Sequence, residues 1–250
     1  MDPAYGKAYA ELYRTHWWWR AREIVVLREI ERLMPNSAFS DAMPPPRPRI
    51  LDVGCGDGLF FDRLLEFAEV DGIESEAALI SPNNPHRSRI HVGLLDESFQ
   101  PSSAYDIILM LDVLEHIQQP APVLRRALQL LAPGGHVIVT VPAFQSLWTT
   151  HDELNHHFIR YNTRTFRGLA DAARMQIERE RYLFQWTFLP KLAARFAEAV
   201  IKPRPSVPRT PPRLLNGLLA ALSVGEAVLF EKVRVPFGSS LLVVGSRKKK

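Results

Sequence analysis

A single cysteine, Cys55, in a chain of 250 residues leaves no intramolecular disulfide to form, and that scarcity fits a reducing cytosol. The first residues, MDPAYGKAYAELYRTHWWWRAR, lack the apolar run of a secretory leader, so export by that route is not expected. No apolar run suits a bilayer span. The longest, Leu214 to Phe230, is short for one and contains Glu226, which is costly in lipid. A strong charge excess is also missing. The formal net charge of +4 is matched by the last four residues alone, Arg247 to Lys250, so nucleic acid is not an expected partner. What is present is 46% hydrophobic composition, enough to build a sizeable core.

Residues 7–34 contain few helix breakers and predict one or two helices, followed by a proline-rich linker, SAFSDAMPPPRPR. From Arg49 the pattern alternates. Strands are predicted at Ile50–Val53, Val70–Glu74, Ile90–Val92, Tyr105–Leu111 and His136–Val141. Helices are predicted at about Asp57–Ala68, near Ser75–Ile80 and at Pro122–Leu131. Such alternation argues a parallel sheet with helices on both faces. A helix at Thr163–Arg174, a long strand at Gln176–Phe188 and a last strand at Ser240–Gly245 follow. Between the last two strands lies an insertion whose middle, IKPRPSVPRTPPR, reads as extended and exposed, flanked by helices at Lys191–Ile201 and Arg213–Lys232.

The stretch ILDVGCGDG, residues 50–58, runs a strand into glycines at every second position. In open α/β sheets the first strand-to-helix turn meets the ligand, and glycine lets backbone approach it closely. A helix starting near Asp57 would present free amides to an anion. A dinucleotide site prefers G-x-G-x-x-G without an acid beside the pyrophosphate. Here the spacing is G-x-G-x-G with Asp52 just before it, which implies a ligand carrying a cation as well as a carboxylate, as an amino acid does. Glu74 ends the next strand, where an acid accepts hydrogen bonds from ribose hydroxyls. Together these features specify an amino acid joined to a nucleoside.

Four stretches in order, ILDVGCGDG, VDGIESEA, YDIILMLDVLEHI and LLAPGGHVIVTVPA, resemble class I S-adenosylmethionine-dependent methyltransferases of the ubiquinone and lipid type. GSSLLVVGSRK resembles the hairpin strand that closes their sheets. The resemblance implies an α/β fold: a Rossmann-like seven-stranded sheet, mostly parallel with one antiparallel strand. Helices cover both faces, with an N-terminal helical cap (1–48), a methyltransferase domain (49–250) and a helical insertion at about 189–236. It implies S-adenosylmethionine as cofactor and S-adenosylhomocysteine as product. By position, Asp52, Gly54, Cys55, Gly56 and Gly58 would hold the methionine end and Glu74 the ribose. Leu95 and Asp96, in HVGLLDESF, would meet the adenine, with Leu94 at the usual acidic position. Asp112 would face the methionine portion, a role compatible with capping the LEHI turn.

Methyl transfer needs an in-line nucleophile, and a base helps only if the acceptor starts protonated. His116, in the LEHI turn, reads as orienting or structural. The loop PAFQSLWTTHDELNHHFIRYN follows the fifth strand, where related enzymes bind acceptor, and on that resemblance His157, Arg160 and Tyr161 are the residues to test. His116, His157 and Tyr161 are therefore the catalytic candidates. The spacing of His151, His156 and His157 matches no known zinc motif, so no metal is expected.

Three adjacent tryptophans, Trp17 to Trp19, cannot share one helix face, so at least one is expected to point away from the local core. The stretch reads either as a helix packed on the sheet or as a lid in which Trp18 and Arg20, with Arg160, meet the acceptor. The insertion helix is apolar almost all round and needs cover from protein, partner or membrane surface. Lys202, Arg204, Arg209 and Arg213 would suit anionic headgroups. The expected acceptor is a small, apolar or lipid-like molecule, and the expected location is cytoplasmic, with the inner face of a membrane as one option. The alternatives are a regulatory subunit that keeps the fold without turnover and an NAD-dependent oxidoreductase.

Overall fold

A computed structural model describes residues 3–34, 47–201 and 207–248. Most of the proline-rich linker, Lys202, Arg204 and the last two lysines lie outside the described residues. Two helices come first, α1 (Pro3–Thr15) and α2 (Trp17–Leu33). Then follow β1 (Arg49–Val53), α3 (Phe61–Leu64), β2 (Glu69–Glu74), β3 (Ile90–Val92), β4 (Tyr105–Leu111), α4 (Pro120–Gln129) and β5 (Leu131–Pro142). The chain continues with α5 (Thr150–Leu154), α6 (Thr163–Ala173), β6 (Met175–Leu183), α7 (Phe188–Ile201), α8 (Arg213–Leu229) and β7 (Ser240–Arg247).

The seven strands form one sheet in the order β3-β2-β1-β4-β5-β7-β6, parallel except for β7, which runs antiparallel to both neighbours. This is the Rossmann-like sheet expected. The order reverses between β1 and β4, so the ends of these two strands open the crevice where such sheets bind ligands. Alternate residues of each strand feed two cores. Leu51, Ile108, Met110, Val139 and Val243 pack with α4 and α6, whereas Ile50, Ile107, Leu109, Ile138 and Leu242 pack with α2 and α8. The N-terminal helices thus form part of one covering layer of the sheet.

Three local expectations change. The helix expected from about Asp57 shrinks to the four residues of α3, because Gly54, Gly56 and Gly58 all have positive φ (69°, 55° and 63°) and prolong the turn. The amides facing the crevice are therefore those of the turn, and no long helix terminus lies behind them. The long strand expected to reach Phe188 ends at Leu183. Phe184 adopts a left-handed conformation (φ 58°), and Glu226 of α8 accepts from the amides of Gln185 and Trp186 at 2.7 and 2.8 Å, diverting the chain into α7. β5 starts at Leu131, earlier than expected, because the Ala132–Gly135 segment continues the ladder through a bulge opposite Tyr105–Ile107.

The tryptophan triplet also differs from expectation. Trp19 is buried and Trp17 and Trp18 are half-buried, so none points freely into solvent. Phe184 and Trp186, from the β6–α7 junction, cover the faces that α2 cannot bury alone. Trp17 meets both rings (centroids 6.2 and 5.3 Å) and Trp18 meets Phe184 at 5.8 Å.

Cys55 packs beneath β2, and its place explains the glycine opposite it. A β-carbon on Gly72 would lie 2.5 Å from Cys55 Sγ and 2.6 Å from Phe61 Cζ. Gly72→Ala is expected to lower stability by about 1–3 kcal/mol, the range for overpacking a filled core. Urea unfolding followed by tryptophan fluorescence measures it, and an unchanged midpoint would refute the close packing.

Candidate active site

At the carboxyl ends of β1, β2 and β4 lies a cavity of about 1000 Å³. Gly54, Gly56, Glu74, Leu95, Asp96, Asp112, His116, His157, Arg160 and Trp18 all line it, so the topology gathers ten of the positions expected at the site. Five others do not line it: Asp52, Cys55, Gly58, Tyr161 and Arg20.

At one end is the glycine turn. A β-carbon on Gly56 would meet no atom within 4 Å, so this stretch of wall is bare backbone. Glu74 Oε2 accepts from Gly56 N at 2.9 Å, and Oε1 accepts from Glu76 N at 2.9 Å, which fixes the carboxylate at the crevice edge with lone pairs to spare. Leu94, 64% exposed, and Leu95, buried, present an apolar surface beyond it. Asp96 Oδ1 is engaged by Ser98 N and Oγ at 2.8 and 2.6 Å, and these bonds hold its carboxyl below the usual range. Asp52 is 5% exposed and sits behind the turn. Burial pushes its pKa up to about 7, with Arg22 opposing the shift and Glu74 adding to it.

In the middle of the cavity, buried Arg22 of α2 forms an ion pair with half-buried Asp112, which follows β4 with a positive φ of 58°. Arg20, the arginine of this helix expected to meet the acceptor, is exposed and does not line the cavity. The signal for Arg22 is its spacing of four from Trp18, which places both on one helix face, and the guanidinium lies 5.0 Å from the indole centroid. The capping role considered for Asp112 is not observed, since Val113 precedes the Leu114–His116 turn without a side-chain cap. Arg22 Nε and Trp18 Nε1 are buried cavity-wall donors with no hydrogen-bond partner among the described residues. Buried donors of this kind suit an anionic group such as a carboxylate. Bare glycine backbone, unpartnered donors and an acid at the end of β2 fit an amino-acid nucleoside.

At the other end the β5–α6 connection folds over the cavity around Asp152. Its Oδ2 caps α5 by accepting from Thr149 N at 2.8 Å. Its Oδ1 accepts from His157 Nδ1 and Arg160 Nε, each at 2.8 Å. Burial alone would raise the Asp152 carboxyl, but the His157 and Arg160 bonds hold it well below the usual carboxylate range. Asp152 was missed from sequence, although Thr149-x-x-Asp152 carries the spacing of a capping box. Tyr161 is 3% exposed and turns its hydroxyl toward Leu114 O at 3.4 Å, in the core behind the cavity. Burial pushes that phenol up, so it does not supply a phenolate to the site.

Beside His157 (ring centroids 4.6 Å apart) lies His116, whose pKa burial lowers to about 4, with His157 adding. Glu115 is fully buried, and neither carboxyl oxygen has a hydrogen-bond partner among the described residues. Burial, reinforced by Asp112, pushes its carboxyl up. Ligand atoms of Glu115, His116 and His157 lie within 4.8 Å of one another, a donor set able to take a divalent metal. The histidine spacing that argued against metal did not reveal this group, because Glu115 and His116 arrive from the β4 loop.

Fold and cavity define a class, the Rossmann-like methyltransferases that use S-adenosylmethionine. The chain belongs to the methyltransferase domain family, whose profile matches residues 18–188. A ubiquinone biosynthesis O-methyltransferase from Marinobacter nauticus is 32% identical over 140 residues, covering 52% of this chain and 58% of that protein. One from Vibrio parahaemolyticus is 28% identical over 145 residues, covering 55% and 61%. The chain thus spans about three fifths of the length of the curated relatives it matches. In fold it is similar to an S-adenosylmethionine-dependent methyltransferase structure from Clostridium acetobutylicum (TM-score 0.56, 9% identity, 91% of each chain). The family and site chemistry agree on S-adenosylmethionine as cofactor, and the oxidoreductase and non-catalytic alternatives are not favoured. The family match stops where α7 begins, so α7 and α8 lie outside it.

Ionised Asp52 would attract the ammonium end of that cofactor. Because the carboxyl loses its proton near pH 7, affinity for S-adenosylhomocysteine should rise as pH increases through 7, and Asp52→Asn should flatten the rise. Calorimetry between pH 6 and 8 checks this; a parallel rise in the variant would assign the titration elsewhere.

Proposed function

We propose that the protein transfers a methyl group from S-adenosylmethionine to a hydroxyl of a small lipophilic acceptor. The observation that carries the reading is the continuity of one cavity from the glycine turn and Glu74 to the Asp152–His157 pair. Bound at the glycine-turn end, the cofactor supplies an electrophilic methyl group. The chain's own residues orient the acceptor and take its proton. His157 gives its Nδ1 proton to Asp152 in a hydrogen bond, which leaves Nε2 as the acceptor nitrogen for a hydroxyl proton. Arg160, held by the same carboxylate and by Ala143 O at 3.2 Å, fixes the pair in place. The aromatic wall of Trp17, Trp18 and Trp19 suits an apolar ring, and relatives named as ubiquinone-pathway O-methyltransferases support this acceptor class.

Incubation with S-adenosylmethionine and a panel of alkylated phenols and catechols should yield S-adenosylhomocysteine and a methyl ether by mass spectrometry. His157→Gln should lower kcat by about 10²–10⁴, the range for a lost general base, with cofactor affinity unchanged. Loss of cofactor binding in this variant, or full activity, would overturn the assignment.

The reading extends to a membrane surface as the acceptor's source. In α8 the polar residues Asn216, Ser223 and Glu226 are buried, while Leu214, Leu218 and Leu229 are 90%, 65% and 71% exposed. Asn216 accepts from Trp17 N at 2.8 Å and donates to Thr15 O at 2.7 Å, and Ser223 Oγ accepts from Trp186 Nε1 at 3.0 Å. The helix is thus turned inside out relative to a usual surface helix. Phe196, Val200 and Ile201 of α7 add to the exposed apolar residues, and Arg209, Arg213, Lys232 and Arg234 are exposed near the ends of α8. No helix among the described residues is long and apolar enough to cross a membrane, so the mode proposed is peripheral. Liposomes containing phosphatidylglycerol should float the protein, and Leu214→Glu with Leu218→Glu should abolish flotation while preserving cofactor affinity. Equal absence of both proteins from the floated fraction would exclude the membrane.

A further inference from the structure

Among the described residues, three arginine or lysine side chains line the cavity, Arg22, Arg160 and Lys191. Arg22 is matched by Asp112 and Arg160 by Asp152. Lys191, on the first turn of α7, has no hydrogen bond or ion pair among the described residues. It is half-buried, and α7 turns Lys191, Ala194 and Glu198 toward the cavity at helical spacing. Glu198, which lines the same cavity, makes no ion pair with Lys191 and accepts instead from Thr150 N and Oγ1 at 2.9 and 3.3 Å.

The charges facing Lys191 come from several elements. Arg160 and His151 approach from the β5–α6 connection, with Asp152 beside them, and Asp112 approaches from the end of β4. The two acids are already paired with arginines, and burial keeps His151 neutral near pH 7, its pKa lowered to about 4. This end of the cavity therefore holds one ammonium group with no carboxylate at contact distance among the described residues.

We infer that Lys191 recognises a carboxylate on the acceptor, so that the preferred acceptor is an aromatic hydroxy acid and not a neutral phenol. The cavity supplies an apolar wall for the ring, the His157 nitrogen for the hydroxyl, and Lys191 for the acidic group. This inference rests on the acceptor reading above. It adds a charge requirement that neither the family match nor the relatives' names contain.

Binding to the protein loaded with S-adenosylhomocysteine tests it without requiring turnover. The probes are a hydroxynaphthoate and its neutral carboxamide, followed by tryptophan quenching. The acid should bind at least about tenfold more tightly than the amide, the scale of a charge-assisted hydrogen bond. Lys191→Met should erase the preference, Lys191→Arg should retain most of it, and S-adenosylhomocysteine affinity should stay within about twofold in both. Burial lowers the Lys191 pKa to about 8, with Arg160 adding and Asp152 and Asp112 opposing, so acid affinity should fall as pH rises through 8 while amide affinity stays level. Equal affinities for acid and amide in the unaltered protein, or a preference that survives Lys191→Met, would overturn the inference. Discrimination without methyl transfer to any hydroxylated acceptor would leave the inference standing and sink the proposed activity.

Discussion

The buried contact between Arg22 and Asp112 is the constraint on which the rest of the site depends. A guanidinium out of water is tolerable only when paired, and removing one partner strands the other at a cost of about 3–5 kcal/mol. The pair joins α2, which precedes the sheet in sequence, to the end of β4 at the point where strand order reverses. Once α2 is fixed there, Trp17 to Trp19 become cavity wall, and Trp18 Nε1 and Arg22 Nε face the ligand space. Without this anchor the cavity would be an open crevice at the sheet edge.

A second cluster holds α2 to the far side of the sheet. Glu29 is 2% exposed and receives Arg32, Arg179 and Arg181, while Arg181 also donates to Ala227 O at 2.8 Å. One buried carboxylate therefore ties α2 to β6, and through Arg181 to α8. Asn216 does the same at the α1–α2 junction. α8, outside the family match, is thus locked to the N-terminal helices, while α7 and the N-terminal helices supply cavity wall.

The chemistry of the site follows from neutralisation. Each buried arginine in the cavity has its carboxylate, the half-buried histidines His116 and His151 have pKa values lowered by desolvation, and Glu115 is pushed toward its protonated form. Where opposite charges pair off within a pocket, the groups left unpaired dominate its electrostatics. Lys191 is the cavity-lining cation without a paired carboxylate among the described residues, and Asp52, behind the glycine turn, has its pKa raised by burial to about 7.

Local patterns in the chain carried most of the fold and cofactor end. Alternation placed the strands, and β4 fell on the residues predicted, because a strand buried on both faces is written largely as an apolar run, here Ile107–Leu111 after the exposed Asp106. The glycine spacing with Asp52 and Glu74 specified the ligand class, because backbone conformation and strand-end position are local properties. The acceptor end was less legible. Arg22, Glu115, Asp152 and Lys191 come from four separate elements, and only packing brings three of them to one cavity wall and Asp152 behind it, bonded to Arg160. Sequence alone determined where the sheet strands and the glycine turn fall, whereas tertiary structure decided which face of α8 meets water. Its polar stripe is buried because the amides of Trp17, Gln185 and Trp186 need acceptors there, a demand set by distant segments and invisible within the helix itself.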